Sequence, residues 1–143
     1  MSTTTDKAEF ERIDAFGVGE PNPYGAYFTG ESYLNVLTPQ GYAPGVVNVT
    51  FEPGCRNFWH IHHASKGGGQ LLLCTAGEGW YQEWGKPAQR LVPGTVVCIP
   101  PEVKHWHGAA ADSWFSHLSV EVSGENSSTE WLEPVSDEEY AAL

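Results

Sequence analysis

The sequence predicts an all-β domain, a barrel or sandwich of many short strands. Sixteen glycines and ten prolines are spread along 143 residues, which indicates short elements joined by tight turns. Apolar residues form 41% of the chain and supply one packed core, while the length leaves no room for a second domain. Strand-forming runs recur about every eight to twelve residues, as they do in sandwiches and jelly rolls.

The barrel is predicted to span residues 44–122, because the strand-forming runs lie there. A β-branched stretch bounded by Pro-Gly on both sides opens the series, and further apolar runs follow glycine turns. The predicted strands cover residues 46–51, 70–75, 80–84, 96–99 and 114–122. Cys74 and Cys98 lie inside these runs and are interpreted as small core residues. The three cysteines have no paired spacing, so no disulfide framework is expected.

Two segments flank the predicted barrel. Residues 1–43 are predicted to form an N-terminal arm, whose first twenty or so residues are polar without a clear period and are expected to be loose. The rest of the arm is expected to form short strand pieces on the barrel or on a neighbouring subunit. It carries the large apolar side chains Tyr24, Tyr27, Phe28, Tyr33 and Leu34. Residues 123–143 are predicted to form a tail with a short helix, because Ser136 and Glu139 make a capping box.

Charge and termini exclude several classes of partner. The formal net charge is −11, so the chain repels nucleic-acid phosphates and anionic lipid surfaces, and neither is an expected partner. The N-terminal residues lack the basic and apolar regions of a signal peptide, and no apolar run approaches membrane-spanning length. The cytoplasm is therefore the expected location, and a small molecule is the expected substrate.

Two His-x-His pairs carry most of the chemical information. His60-Ile-His62 and His105-Trp-His107 fall on predicted strand segments, where residues two apart project to the same side. Imidazole nitrogens on one face can share a metal ion at about 2.0–2.1 Å. One pair alone would also fit ordinary half-buried histidines, because a motif needs structural context. Two pairs on strands favour a metal site.

The last predicted strand adds polar groups to the barrel interior. Phe115, His117, Ser119 and Glu121 share one face of it, and the opposite face is mostly apolar. The first face is expected to look inward, unless a β-bulge shifts the alternation, which makes His117 and Glu121 candidate catalytic groups. His107 is a third candidate, because histidine titrates near neutral pH and can move a proton. The alternative for His107 is a supporting role at the cavity rim.

The chain resembles the cupin family, first in a motif of glycine, His-x-His, an acid and a second glycine. Gly54 is followed by five residues and then by His60-Ile-His62. Gln70 occupies the acid's position and is followed by six residues and then by Gly77. Seven residues, HASKGGG, separate His62 from Gln70 where the motif has three or four, and this glycine-rich loop is expected to be flexible.

The second cupin motif is matched less completely. Gly94 is followed by five residues and by Pro100, and His105 falls at the histidine position, whereas Glu102 and Ala109 replace a glycine and an asparagine. The resemblance covers about residues 44–122 and implies a jelly-roll β-barrel. It also implies one divalent transition metal per chain, held by His60, His62, Gln70 and His105.

Glutamine in place of the usual glutamate changes the expected chemistry. Three imidazoles and an amide are all neutral, so they leave the full charge of a divalent ion uncompensated. Such an ion is a stronger Lewis acid and is harder to oxidise. Mixed nitrogen and oxygen donors suit manganese, iron, cobalt, nickel or zinc.

Three stretches indicate a narrower group. KHWHGAA (104–110), SHLSVEV (116–122) and WLEPVSDEEY (131–140) are similar to small bacterial cupins related to manganese-dependent hydroxynitrile lyases, a group often placed alongside carboxymuconolactone decarboxylases. The resemblance implies manganese as the metal and cleavage of a cyanohydrin to an aldehyde and cyanide, or the reverse. It further implies that the metal binds the substrate hydroxyl oxygen and that His107 exchanges the proton with cyanide.

Two other functions stay open at this point. One is a different metal-dependent cupin enzyme, such as a decarboxylase, isomerase or dioxygenase. The other is a non-catalytic cupin that binds a small molecule. His107 and the polar inner face of the last strand favour an enzyme, but a fold by itself decides neither.

A second copy of the chain is the expected protein partner, in a homodimer or a dimer of dimers. The apolar side chains of residues 21–43 find no place inside a barrel that is complete from 44 to 122. A partner's arm would also cover strand edges that a small barrel leaves open.

Overall fold

The computed structural model describes residues 4–143. Its helices are α1 (Lys7–Ile13) and α2 (Asp137–Ala141), and a 3₁₀ turn covers Gly25–Tyr27. Its strands are β1 (Glu20–Pro21), β2 (Phe28–Thr29), β3 (Ser32–Val36), β4 (Val46–Phe51), β5 (Arg56–Asn57), β6 (His60–His63), β7 (Lys66–Gly67), β8 (Gln70–Gly77), β9 (Gly79–Glu83), β10 (Gln89–Leu91), β11 (Val96–Ile99), β12 (His105–Ala109), β13 (Phe115–Glu121), β14 (Gly124–Glu125) and β15 (Ser128–Trp131). Neither helix has the length and the apolar run that a membrane crossing needs.

All strands but β7 and β14 belong to two antiparallel sheets whose inner faces enclose the core. One sheet has the order β1-β3-β4-β13-β8-β11, and the other has β10-β9-β12-β5-β2 with β6 and β15 attached through β12. Phe51, Leu72 and Phe115 from the first sheet pack with Tyr81 and Leu91 from the second. Alternating side chains from two facing sheets make a jelly roll, so the predicted all-β barrel is confirmed.

The predicted strands of the barrel are present, and β4 and β11 match their predicted bounds. Cys74 is buried, as expected. The interpretation of Cys98 as a core residue is wrong, because it is exposed on β11, the last strand of its sheet. On that strand Val97 and Ile99 face the core, so the residue between them faces outward.

The first residues of the chain are not the loose arm that the sequence predicted. Helix α1 begins after Asp6, whose carboxylate accepts a hydrogen bond from the Glu9 N–H at 3.0 Å. Phe10 is fully buried and stacks on Trp114 on the outer face of the six-stranded sheet. A helix of seven residues with one buried aromatic shows no recognisable period. Residues 1–3 of the predicted arm lie outside the described residues.

The rest of the predicted arm is part of the barrel. β1 and β3 extend the six-stranded sheet beside β4, while β2 pairs with β5 in the other sheet. Phe28 and Leu34 pack against the main core, so the barrel is not complete at residue 44. Phe28 and Leu34 therefore no longer argue for a partner subunit, whereas Tyr24 is 58% and Tyr27 39% exposed. The homodimer stays a prediction.

The glycine-rich insertion is held in place by the chain that follows β13. β7 pairs with β14, and the Ser65 N–H donates to the Glu125 carbonyl at 2.9 Å. Gly68 donates to the Ser123 carbonyl at 3.0 Å. The loop that was expected to be flexible thus forms an ordered two-stranded ribbon.

The C-terminal tail contains the predicted helix and one unpredicted strand. Ser136 and Glu139 form the capping box that starts α2. Strand β15 pairs with β6 along its whole length, so the tail closes the sheet beside the first His-x-His pair. Beneath it, Trp59, Trp106 and Val135 form a second buried cluster.

Candidate metal centre

Three of the four predicted ligands meet at one point of the barrel interior. β6 carries His60 and His62 on one face, and β12 places His105 directly opposite His60. One ring nitrogen from each of the three lies within 4.8 Å of the others. Neighbouring strands therefore bring three imidazoles close enough together to share one metal ion.

Hydrogen bonds from Nδ1 to backbone carbonyls fix the orientation of the His60 and His105 rings. The Nδ1–H of His60 donates to the Phe58 carbonyl at 2.8 Å, and that of His105 donates to the Val103 carbonyl at 2.9 Å. A carbonyl only accepts, so in a neutral imidazole Nε2 is left with a free lone pair. His105 Nε2 is buried and has no hydrogen-bond partner among the described residues. A buried nitrogen that has a free lone pair and no hydrogen-bond partner fits the role of a metal ligand.

His62 is held differently. Its Nδ1 lies 3.2 Å from the Thr129 hydroxyl on β15, and its Nε2 lies 2.8 Å from Gln70 Oε1. Gln70 Oε1 only accepts, so the Nε2–H of His62 donates to it and Nδ1 accepts from the Thr129 hydroxyl. A role of Nε2 as a metal ligand requires the proton on Nδ1, which can donate to the same hydroxyl. The His62 Nε2 and Gln70 Oε1 atoms point at each other, which places the amide oxygen beside the triad.

Burial keeps the triad neutral. Removal from water lowers the pKa of His60 well below its usual value and lowers the pKa of His62, and for His60 the neighbouring imidazoles add to the effect. Burial also lowers the pKa of His105 to about 4. Neutral imidazole is the form that binds metal, so this site is ready to bind at neutral pH.

His107 and His117 form a separate pair deeper in the barrel. His107 Nδ1 lies 3.0 Å from His117 Nε2, and one of these nitrogens donates to the other. Burial lowers the pKa of His107 well below its usual value and lowers the pKa of His117 to about 4, so both are neutral at neutral pH. The His107 ring centre is 5.7 Å from that of His60, which puts the pair beside the triad but outside it.

Glu121 does not join these two histidines. His117, Ser119 and Glu121 follow one another on the inner face of β13, about 6.8 Å apart at each step. His117 is fully buried and Glu121 is exposed, so this face runs from the floor of the cavity to its mouth. The β-bulge between Ser116 and His117 does not turn the His117 side chain away from the barrel interior. Ser119, between the two, accepts a hydrogen bond from Gln70 Nε2.

His60 and His62 of the triad line a cavity of about 340 Å³, within the range of small-ligand sites. Its apolar wall is formed by Phe28, Leu34, Val47, Val49 and Trp131. An outer, more polar space of about 480 Å³ continues to the mouth, where Glu121 lies. Lysine and arginine are missing among the lining residues of both spaces. The histidines that line the inner space have lowered pKa values, so a bound anion there would meet no cationic side chain.

Comparisons with known proteins identify the family of this chain. No family model matches the chain. The (R)-mandelonitrile lyase of Granulicella tundricola is 40% identical over 117 residues, which cover 80% of this chain and 86% of that protein. This chain belongs to the cupin family of that lyase. A cupin-like protein from Thermotoga maritima has 40% identity and a TM-score of 0.77, with 90% of this chain and 96% of that one covered.

A more distant solved structure shows the reach of the cupin fold. The DMSP lyase DddQ from Ruegeria pomeroyi has 20% identity and a TM-score of 0.60, over 74% of this chain and 54% of that one. At this identity the likeness concerns the fold alone.

The sequence did not indicate several cavity residues, among them Asn57, Thr129 and Trp131. Thr129 and Trp131 belong to β15, in a polar stretch that gives no strand pattern, and Asn57 belongs to the two-residue strand β5. The Trp131 ring lies 4.7 Å from the His60 ring and stacks on Tyr27 at 4.7 Å. A lone tryptophan in a polar tail was the only signal for this wall.

Proposed function

We propose that this cupin is a metal-dependent lyase of the hydroxynitrile lyase type, acting on a small hydroxylated or carbonyl substrate. The convergence of His60, His62 and His105 beside a buried, neutral His107 carries the proposal. The identity to the mandelonitrile lyase supports the reaction class.

The proposed metal site adds Gln70 to the triad. All four donors are neutral, and one divalent transition metal, manganese by likeness to the related lyases, suits this set. When bound, such an ion supplies Lewis-acid stabilisation of negative charge on a substrate oxygen. Gln70 keeps its oxygen toward the triad because its amide nitrogen donates to Ser119.

In the proposed reaction His107 handles the proton. Cleavage of a cyanohydrin removes the hydroxyl proton, breaks the bond between carbon and the nitrile, and leaves an aldehyde and cyanide. His107 accepts the hydroxyl proton and returns it to cyanide, which departs as hydrogen cyanide. His117 holds the imidazole in place through the 3.0 Å hydrogen bond to His107 Nδ1.

The shape and charge of the cavity support a neutral, partly apolar substrate. Trp131 and Phe28 offer aromatic surface for a ring or alkyl group next to the triad. Glu121 at the mouth disfavours a substrate with a carboxylate at its outer end.

The direct test is cleavage of mandelonitrile by the metal-loaded protein, followed as benzaldehyde formation. The His60→Ala, His62→Ala double variant is the matched control, and it should be inactive. Activity should persist without oxygen, because no redox step is involved. No cleavage by the loaded wild type would contradict the proposal, and loss of activity without oxygen would favour a dioxygenase.

A further inference from the structure

Asn57 is a buried amide that the proposed mechanism does not use. It lies on β5, is 2% exposed, and lines the inner cavity together with His107 and Trp131. A buried amide normally has hydrogen-bond partners for both its oxygen and its nitrogen. The partners of Asn57 therefore indicate what this side chain is for.

The oxygen of Asn57 is identified by its partner. The backbone N–H of His107 donates to Asn57 Oδ1 at 2.9 Å. A backbone N–H cannot accept, so the atom facing it must be the oxygen, and the two ends of the amide cannot be exchanged. The nitrogen Nδ2 thus points away from that N–H and toward the His107 ring.

The nitrogen of Asn57 has no good acceptor. Nδ2 lies 3.4 Å from His107 Nδ1 and 3.3 Å from His107 Nε2. A position nearly equidistant from both ring nitrogens lies over the face of the ring, since an in-plane position would collide with the ring carbons. The lone pairs of imidazole lie in the ring plane, so this contact is at best a weak N–H···π interaction. Among the described residues no oxygen accepts from Nδ2.

We propose that Asn57 Nδ2 donates a hydrogen bond to an acceptor atom of the bound substrate, beside His107. The acceptor is a carbonyl oxygen, a hydroxyl oxygen or a nitrile nitrogen, and it carries more negative charge as the reaction proceeds. A donor that is already oriented stabilises such charge without reorganising. The substrate class rests on the proposed function, whereas the unpartnered donor does not. The same donor discriminates against ligands that have no acceptor at this position.

The test compares two probes on the metal-loaded protein. Acetophenone combines a ring with a carbonyl acceptor, and toluene has the ring alone. Their dissociation constants are measured by quenching of tryptophan fluorescence for the wild type, Asn57→Ala and Asn57→Asp. Asn57→Asp keeps an oxygen for the His107 N–H and removes the donor. Asn35→Ala is the control, because Asn35 lines neither space. Its amide donates to the Phe16 carbonyl instead.

The expected result is a selective loss. Asn57→Ala should weaken acetophenone binding by about 3- to 10-fold, the range for one net hydrogen bond, and leave toluene binding unchanged. Asn57→Asp should lose at least as much, because an acceptor then faces the carbonyl oxygen, and Asn35→Ala should lose nothing. Equal losses for both probes, no loss for acetophenone, or no binding of acetophenone by the wild type would overturn the proposal.

The two proposals can fail separately. If Asn57 sets the preference for acetophenone while the wild type cleaves no mandelonitrile, the lyase assignment fails and the donor role stands. If the wild type cleaves mandelonitrile and Asn57→Asp keeps both the full kcat/KM and the probe preference, the donor role alone is overturned.

Discussion

The two His-x-His pairs have the same spacing, but only the first pair has both of its histidines in the triad. His60 and His62 on β6 both belong to the triad, with ring centres 5.1 Å apart and nearly perpendicular planes. On β12, His105 belongs to the triad, but His107 lies 5.9 Å away with its ring almost parallel. His107 instead meets His117 of the facing sheet.

The difference shows what spacing can and cannot specify. Alternation along a strand puts both members of each pair on the same face. Which side chains converge is decided by what lies across the sheet and across the barrel. β15 flanks β6 and sets Thr129 behind His62, whereas His107 faces β13 and its His117. In the proposed site one pair therefore supplies two metal ligands, and the other supplies one ligand and the proposed proton-transfer group.

The largest expected effect follows from that division. His107→Ala should retain the metal and lose about 10²–10⁴-fold in kcat for cyanohydrin cleavage, because a positioned general acid–base group is removed. His105→Ala, two residues earlier on the same strand, should instead lose the metal. Steady-state rates together with metal content separate the two variants. An unchanged kcat in His107→Ala would remove this residue from the mechanism.

His117 should make the stability of the protein depend on pH. Burial lowers its pKa from 6.5 to about 4, so as pH falls the unfolded chain binds this proton before the folded chain does. The free energy of unfolding therefore falls by about 3 kcal/mol on account of His117 as the pH drops from about 6.5 to 4, and it is unaffected by His117 above that range. The measurement is urea unfolding of wild type and His117→Asn at both ends of this range, with a chelator present to exclude metal release.

On acidification the free energy of unfolding of His117→Asn should fall by about 3 kcal/mol less than that of the wild type. Identical losses in the two proteins would show that His117 is not held neutral in the barrel.

A smaller effect is expected at the fourth ligand position. Gln70→Glu should keep the fold and the metal, yet lower the rate of cleavage about tenfold, because an added negative charge weakens the Lewis acid. Rates at matched metal occupancy test this. A rate equal to or above that of the wild type would mean that the neutral amide is not needed for catalysis.

Much of the barrel could be predicted because local sequence and final structure agree there. β4 and β11 are β-branched runs between turn residues, and their bounds follow from that composition. Helix α1 was missed because its stability comes from Phe10 packing on Trp114, a contact far away in sequence. β15 was missed because pairing with β6, rather than its own polar residues, makes it a strand.

The same distinction holds at the site. The triad follows from strand alternation and motif spacing, and His117 follows from the parity of β13. Asn57, Thr129 and Trp131 come from short strands that only tertiary pairing brings to the cavity. Glu121 has the predicted parity, but its strand carries it to the mouth, out of reach of His107.

In the proposed site His60, His62 and His105 hold a metal ion and His107 does not. Elemental analysis of protein purified without added chelator tests it most directly, applied to the wild type, to the His60→Ala, His62→Ala double variant and to His107→Ala. We expect close to one transition metal per chain in the wild type and in His107→Ala, and almost none in the double variant. Full occupancy in the double variant would contradict it.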